Sequence, residues 1–119
     1  MKKIIILLVL PILLCACGAT EKVIVENINC SKMTELVNDG AILIDVREAS
    51  EYQEGHLDGA ININYTDISS KIEAIVDKKD TKIVVYCRSG RRSSIAAKAL
   101  IDLGYTNIYD LGGMSNCNK

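Results

Sequence analysis

A chain of 119 residues leaves room for one domain. Its 14 Lys and Arg against 15 Asp and Glu give a formal charge of -1, which excludes a basic surface for nucleic acid. One His and five Cys without a C-x-x-C pair exclude the usual zinc spacings, so no metal site is expected, and nothing asks for an organic cofactor.

The chain begins with a basic start, Met1-Lys2-Lys3, and an almost unbroken apolar run from Ile4 to Leu14. That run is too short to span a bilayer and suits the apolar core of a signal peptide, although an uncleaved anchor is the other reading. It ends in Leu14-Cys15-Ala16-Cys17, which resembles the lipobox of bacterial lipoproteins. The resemblance implies a signal peptide over residues 1–16, lipid on Cys17, a tether over 17–26 and a folded domain over 27–119. It also implies an extracytoplasmic protein held to the bacterial cell membrane by its anchor. Loss of Lys2 and Lys3 with the signal leaves a charge of about -3 on about 103 residues. A domain of that size buries roughly 65% of its unfolded surface and needs no disulfide to fold.

Val23–Val25 reads as a first strand. Asn29 or Ser31 can cap a helix that carries Met33, Leu36 and Val37 on one side and stops at Gly40. Ala41 to Val46 is a continuous apolar run broken only by Asp45, the pattern of a strand buried on both faces. Glu51 to Gly59 is polar and Gly-punctuated, a loop with room for one helical turn. His56 sits there as a structural hydrogen-bonding residue. Ala60–Ile63 is a short strand candidate, and Ile68, Ile72, Ile75 and Val76 recur at helical spacing. Lys82–Tyr86 is the next buried strand, ending at Cys87. Ser93–Leu103 is a helix with an apolar stripe from Ile95 to Leu103, stopped by Gly104. Asn107–Tyr109 is a last strand, with Leu111-Gly112-Gly113 turning out of it. Strands that alternate with helices predict an α/β fold, an open, mainly parallel sheet with helices on both faces. Sites in such sheets form beyond the carboxyl ends of the strands, where Asp45-Val46-Arg47 and Cys87-Arg88 both fall.

Cys87 is followed at once by Arg88-Ser89-Gly90-Arg91-Arg92, the densest positive charge in an acidic chain. A tight loop running into a helix turns backbone N–H groups toward the thiol, and three arginines add cations; both favour thiolate, the nucleophilic form. The same residues could be an inert buried cysteine beside a solvated turn, but the arginine cluster weighs against that.

Here the sequence resembles rhodanese-homology domains, the sulfurtransferases. Cys87 to Ser93 is similar to their active-site loop. Ile44 to Glu48, Glu51-Tyr52 and Gly55 to Asn62 are similar to their upstream signature, and Leu111-Gly112-Gly113 to their closing turn. The resemblance implies that Cys87 carries sulfur as a persulfide and that the N–H groups from Arg88 to Arg92 cradle it. It further implies that the arginine side chains orient a small sulfur-containing anion, and that a thiol takes the sulfur away. Asp45 and Arg47 read as supports that shape the loop, with Arg47 placed to pair with Glu51, while Glu48 is a surface charge. Phosphatases and arsenate reductases of the same fold use seven-residue loops; six residues from Cys87 to Arg92 favour sulfur over an oxyanion. A non-catalytic binding module and a thiol-redox protein using Cys87 with Cys30 or Cys117 are the alternatives. Cys117 stands where members usually carry an aromatic residue, and a contact between Cys117 and Cys30 is open.

Overall fold

The protein is described here by a computed structural model for residues 23–117; the stretch expected to be a signal peptide and Cys17 lie outside the described residues. In chain order the elements are β1 (Glu26–Asn27), α1 (Cys30–Asn38), β2 (Ile42–Asp45), α2 (Ala49–Glu54), β3 (Ile61–Asn62), α3 (Ile68–Ile75), β4 (Lys82–Cys87), α4 (Arg91–Asp102) and β5 (Asn107–Gly113). A 3-10 turn, Met114–Cys117, closes the described chain. The five strands form one sheet in the order β1-β5-β4-β2-β3, and every pairing is parallel. Among the described residues no helix is long and apolar enough to cross a membrane.

The period of two along the central strands sorts the side chains between two cores. Ile44 and Val46, with Ile83, Val85 and Cys87, face α3 and α4, where Ile68, Ile72, Ala96, Ala97 and Leu100 complete the layer. Leu43, Val84 and Tyr86 face the other way, onto Met33 and Leu36 of α1 and Tyr52 of α2. Cys87 and Tyr86 are chain neighbours on opposite sides of the sheet.

Three boundaries differ from expectation. The first strand is Glu26–Asn27, because its register is set by Tyr109 and Asp110 of β5, and Ile24 is left exposed. A full helix, α2, replaces the single turn after Arg47, its entrance closed by Glu51 Oε1 accepting from Glu48 N at 3.0 Å. Leu111-Gly112-Gly113 does not leave β5 but continues it: the register slips after Val85–Asp110, so that Tyr86 meets Gly112 and Cys87 meets Gly113. The slip is a bulge, and it brings Gly113 against the loop that follows Cys87.

Cys30 and Cys117 are joined by a disulfide with Cα atoms 5.2 Å apart. It anchors the last turn to the start of α1. A link across 87 residues is worth about 4–5 kcal/mol in the chain-entropy account.

Candidate active site

The site starts with a strand that has to become a helix within three residues. Gly90 makes this possible at φ 112°, a left-handed conformation that side-chain-bearing residues adopt at a cost. Helix α4 then begins at Arg91, two residues before the expected start at Ser93, so Arg91 and Arg92 lie in its first turn. The N-terminal N–H groups of that turn curl back on the thiol. Gly90 N donates to Cys87 Sγ at 3.0 Å and Ser93 N at 3.3 Å, while Ser93 Oγ donates to Gly90 O at 3.1 Å.

Cys87 is fully buried and is the free cysteine among the described residues. Burial pushes its pKa up, but the N–H groups of Ser93, Gly90 and Ser89 and the Ser93 hydroxyl outweigh burial and leave it below the ordinary thiol value. The thiolate is stabilised by backbone dipoles. The arginine side chains bond elsewhere, with Arg92 keeping a charge attraction to Cys87.

Arg92 Nη1 and Nη2 lie 2.7 and 3.1 Å from the two oxygens of Glu51, and Arg88 Nε lies 3.3 Å from Glu51 Oε2. Arg91 is exposed, its guanidinium 5.9 Å from the centroid of the Tyr65 ring. Arg91 and Arg92 at the N-terminus of α4 oppose the helix dipole, and the Glu51 carboxylate of α2 answers Arg92, together with Arg88 of the loop, but not Arg91. The expected pair of Arg47 with Glu51 is therefore wrong: Glu51 holds the loop arginines, and Arg47 turns to its own strand end. Arg92 chiefly, through its hydrogen bonds, holds the Glu51 carboxyl at about 2 instead of 4.5.

A stability consequence follows from that depression. The clamp contributes fully above pH 4.5 and loses its contribution as pH falls toward 2. The urea midpoint of the wild type should exceed that of Glu51→Gln near pH 6, with the gap closing by about pH 2. A gap independent of pH would remove the ionised clamp from the stability of the fold.

Beneath the loop lies a buried network. Arg47 donates to Asp45 through Nε (3.0 and 3.1 Å) and Nη2 (2.7 Å), and Nη2 also reaches Gly55 O at 2.7 Å. Arg47 N and Tyr86 OH donate to the same carboxylate at 2.9 and 2.8 Å, and Leu57 N donates to Tyr86 OH at 3.0 Å. Burial and Asp45 keep the Tyr86 phenol protonated well above its ordinary range. This network ties the end of β2 to the end of β4 and to the 55–57 loop.

Residues 87–92 thus form one continuous turn from β4 into α4, while the side-chain hydrogen bonds of Asp45 and Arg47 go to each other, Tyr86, Gly55 and Asn62 and not to that turn. The resemblance covers Ser93, Glu51 and Gly113 without giving them a role at the thiol, and Tyr86 lies outside its motifs. A thiol-redox pairing of Cys87 with Cys30 or Cys117 is ruled out in this arrangement, since those two bond to each other and border the core on the opposite face of the sheet from Cys87. Cavities of about 350 Å³ beside α4 and 390 Å³ beside the disulfide do not include Cys87 in their walls. The groups that face Sγ are the backbone N–H groups of Gly90 and Ser93. Among the described residues no three His, Cys, Asp or Glu side chains gather in a metal-holding group.

A family model described as "Rhodanese-like domain" matches residues 29–119. Thiosulfate sulfurtransferase PspE of Escherichia coli K12 is 38% identical over 73 residues, which are 61% of this chain and 70% of that one. The adenylyltransferase and sulfurtransferase UBA4 of Candida albicans is 42% identical over 78 residues, 60% of this chain but only 18% of that one. A solved structure described as a rhodanese with anions from E. coli superposes with a TM-score of 0.63 at 36% identity, covering 65% of this chain and 91% of the other.

Proposed function

The chain belongs to the rhodanese-like domain family, and from that premise we propose that it is a sulfurtransferase working through a persulfide on Cys87. The observation that carries the reading is the free Cys87 thiol, its Sγ facing the N–H groups of Gly90 and Ser93 and its pKa depressed by them. Relatives named as sulfurtransferases support the same class of reaction.

In the first half-reaction the Cys87 thiolate attacks the outer sulfur of thiosulfate or a similar sulfane donor. The donor S–S bond breaks, sulfite or a thiolate leaves, and Cys87 keeps one sulfur as Cys87–S–S⁻. In the second, an acceptor thiolate or cyanide attacks that outer sulfur and the Cys87 thiolate is released. The ring N–H groups face the charge that moves between the two sulfurs, so their stabilisation requires no rearrangement. A six-residue loop admits a bare sulfur where a tetrahedral oxyanion would need the N–H groups to stand further back.

The test is mass spectrometry of the purified domain after thiosulfate. One added sulfur that cyanide removes, absent in Cys87→Ser, is the expected result. Phosphate-ester or arsenate turnover with no sulfur gained would replace the reading with an oxyanion enzyme.

We further propose that the domain works outside the cytoplasm on a lipid tether. The support is the Leu14-Cys15-Ala16-Cys17 sequence after an apolar run. Metabolic labelling with a fatty-acid probe should mark the wild type and not Cys17→Ala; equal labelling would sink the anchor.

A further inference from the structure

Glu51 is a built-in anion that occupies the positive charge of the loop. It is 18% exposed at its side chain, as is Arg92 at 19%, so the bidentate pair between them is shielded from solvent. Arg88 is held only through Nε and is 65% exposed, leaving its terminal nitrogens open. Arg91 makes no bond to Glu51 and lies over Tyr65. An incoming donor therefore meets one guanidinium already neutralised, one shared and one unclaimed. Counting the thiolate and Glu51 against three arginines, the loop carries one net positive charge.

We propose that Glu51 is a positioning and selectivity residue that tunes this site toward singly charged sulfane donors, hydropersulfides R–S–S⁻, and away from dianionic thiosulfate. The proposal rests on the sulfurtransferase reading above. A hydropersulfide anion brings the loop to neutrality, whereas thiosulfate leaves it with an excess negative charge that must compete with Glu51 for Arg92 and Arg88. In the favoured step the Cys87 thiolate attacks the terminal sulfur of R–S–S⁻, the donor S–S bond breaks, R–S⁻ leaves, and the charge is the same before and after. Glu51 touches no reacting atom. It acts through the guanidinium groups, fixing where they point and how much of their charge is left.

Glu51→Gln is the informative variant, because glutamine keeps the oxygen that accepts from Glu48 N and so preserves the start of α2. Thiosulfate and hydroxyethyl hydropersulfide are compared as donors for the wild type, Glu51→Gln and Glu51→Asp. The ratio of kcat/KM for thiosulfate to that for the hydropersulfide should rise about tenfold in Glu51→Gln, mainly through a lower KM for thiosulfate, the order expected for one unit charge at contact range in a half-exposed site. Glu51→Asp, which keeps the charge, should return the ratio toward the wild type. A readout that needs no turnover runs beside these: calorimetric titration with sulfate should show about tenfold tighter binding by Glu51→Gln than by the wild type. An unchanged sulfate affinity, or parallel loss with both donors, would reduce Glu51 to a structural clamp and overturn the proposal. If the wild type takes no sulfur from either donor, the sulfurtransferase reading fails instead, and the sulfate titration still decides whether Glu51 screens the loop.

Discussion

Replacing Asp45 with alanine should lower the unfolding free energy by about 3–5 kcal/mol, the usual consequence of breaking a buried ion pair from one side. Asp45 is fully buried and Arg47 is 3% exposed. The substitution removes the acceptor for Arg47 N, Nε and Nη2 and for Tyr86 OH at once. Gly55 O is the one acceptor left for a guanidinium that water cannot reach, and Tyr86 loses its acceptor while still accepting from Leu57 N. An unpartnered buried charge costs more than the pair ever contributed, so truncation measures the penalty and not the net worth of the bridge. A domain of this size is stable by about 5–15 kcal/mol, so the loss is a large fraction of the total. Urea melts of wild type and variant check this. A loss under about 1 kcal/mol would show that water or a rearranged Arg47 relieves the charge.

The same network marks what could be read from the chain and what could not. Ile42–Asp45 and Lys82–Cys87 announce themselves because strands buried on both faces are apolar without interruption, and their carboxyl ends locate the site. Cys87 with its arginines was legible as a local charge anomaly. The partners of those arginines were not. Glu51 lies 41 positions before Arg92, and only the packing of α2 against the β4–α4 loop brings them together. Arg47 was misassigned for a related reason: a residue two positions from Asp45 on a strand would face the same side, but whether its guanidinium folds back depends on the bend after β2. The backbone donors on Sγ follow from a tight loop running into a helix; Gly90 N lies inside the expected Arg88–Arg92 span and Ser93 N one residue beyond it. Two-residue strands such as β1 and β3 are too short to show a period. The bulge in β5 leaves no apolar signature either, because the residues it places against the loop are glycines. Three cysteines without a motif do not fix a pairing, and Cys30–Cys117 needed the return of β5 alongside β1.

Gly113→Ala should cut kcat/KM for sulfur transfer by about 100-fold or more while the domain still folds, the usual result of a displacement of about 1 Å at a reacting centre. Gly113 pairs with Cys87 across β4 and β5, and its missing side chain is what allows the loop to sit where it does. A Cβ there would stand 2.5 Å from Arg88 O and 3.3 Å from both Arg88 C and Ser89 Cα. All three are backbone atoms, which cannot swing aside as a side-chain tip would. Arg88 and Ser89 must rise, and the N–H groups of Gly90 and Ser93 swing off Sγ. Each charge-assisted bond to the thiolate is worth about 1.5–3 kcal/mol, so their weakening raises the thiol pKa as well as the barrier. The pH of half-maximal alkylation of Cys87 should therefore move upward in the variant. Stability should fall by only about 1–3 kcal/mol, the usual cost of overpacking. Gly104→Ala is the control. Its φ of 103° makes alanine strained, yet nothing lies within 4 Å of the added Cβ and it is remote from the loop. It should lose stability without moving the alkylation pH. If Gly113→Ala keeps its rate within threefold, or if Gly104→Ala loses as much, the close approach of β5 is not what holds the thiolate ring in place.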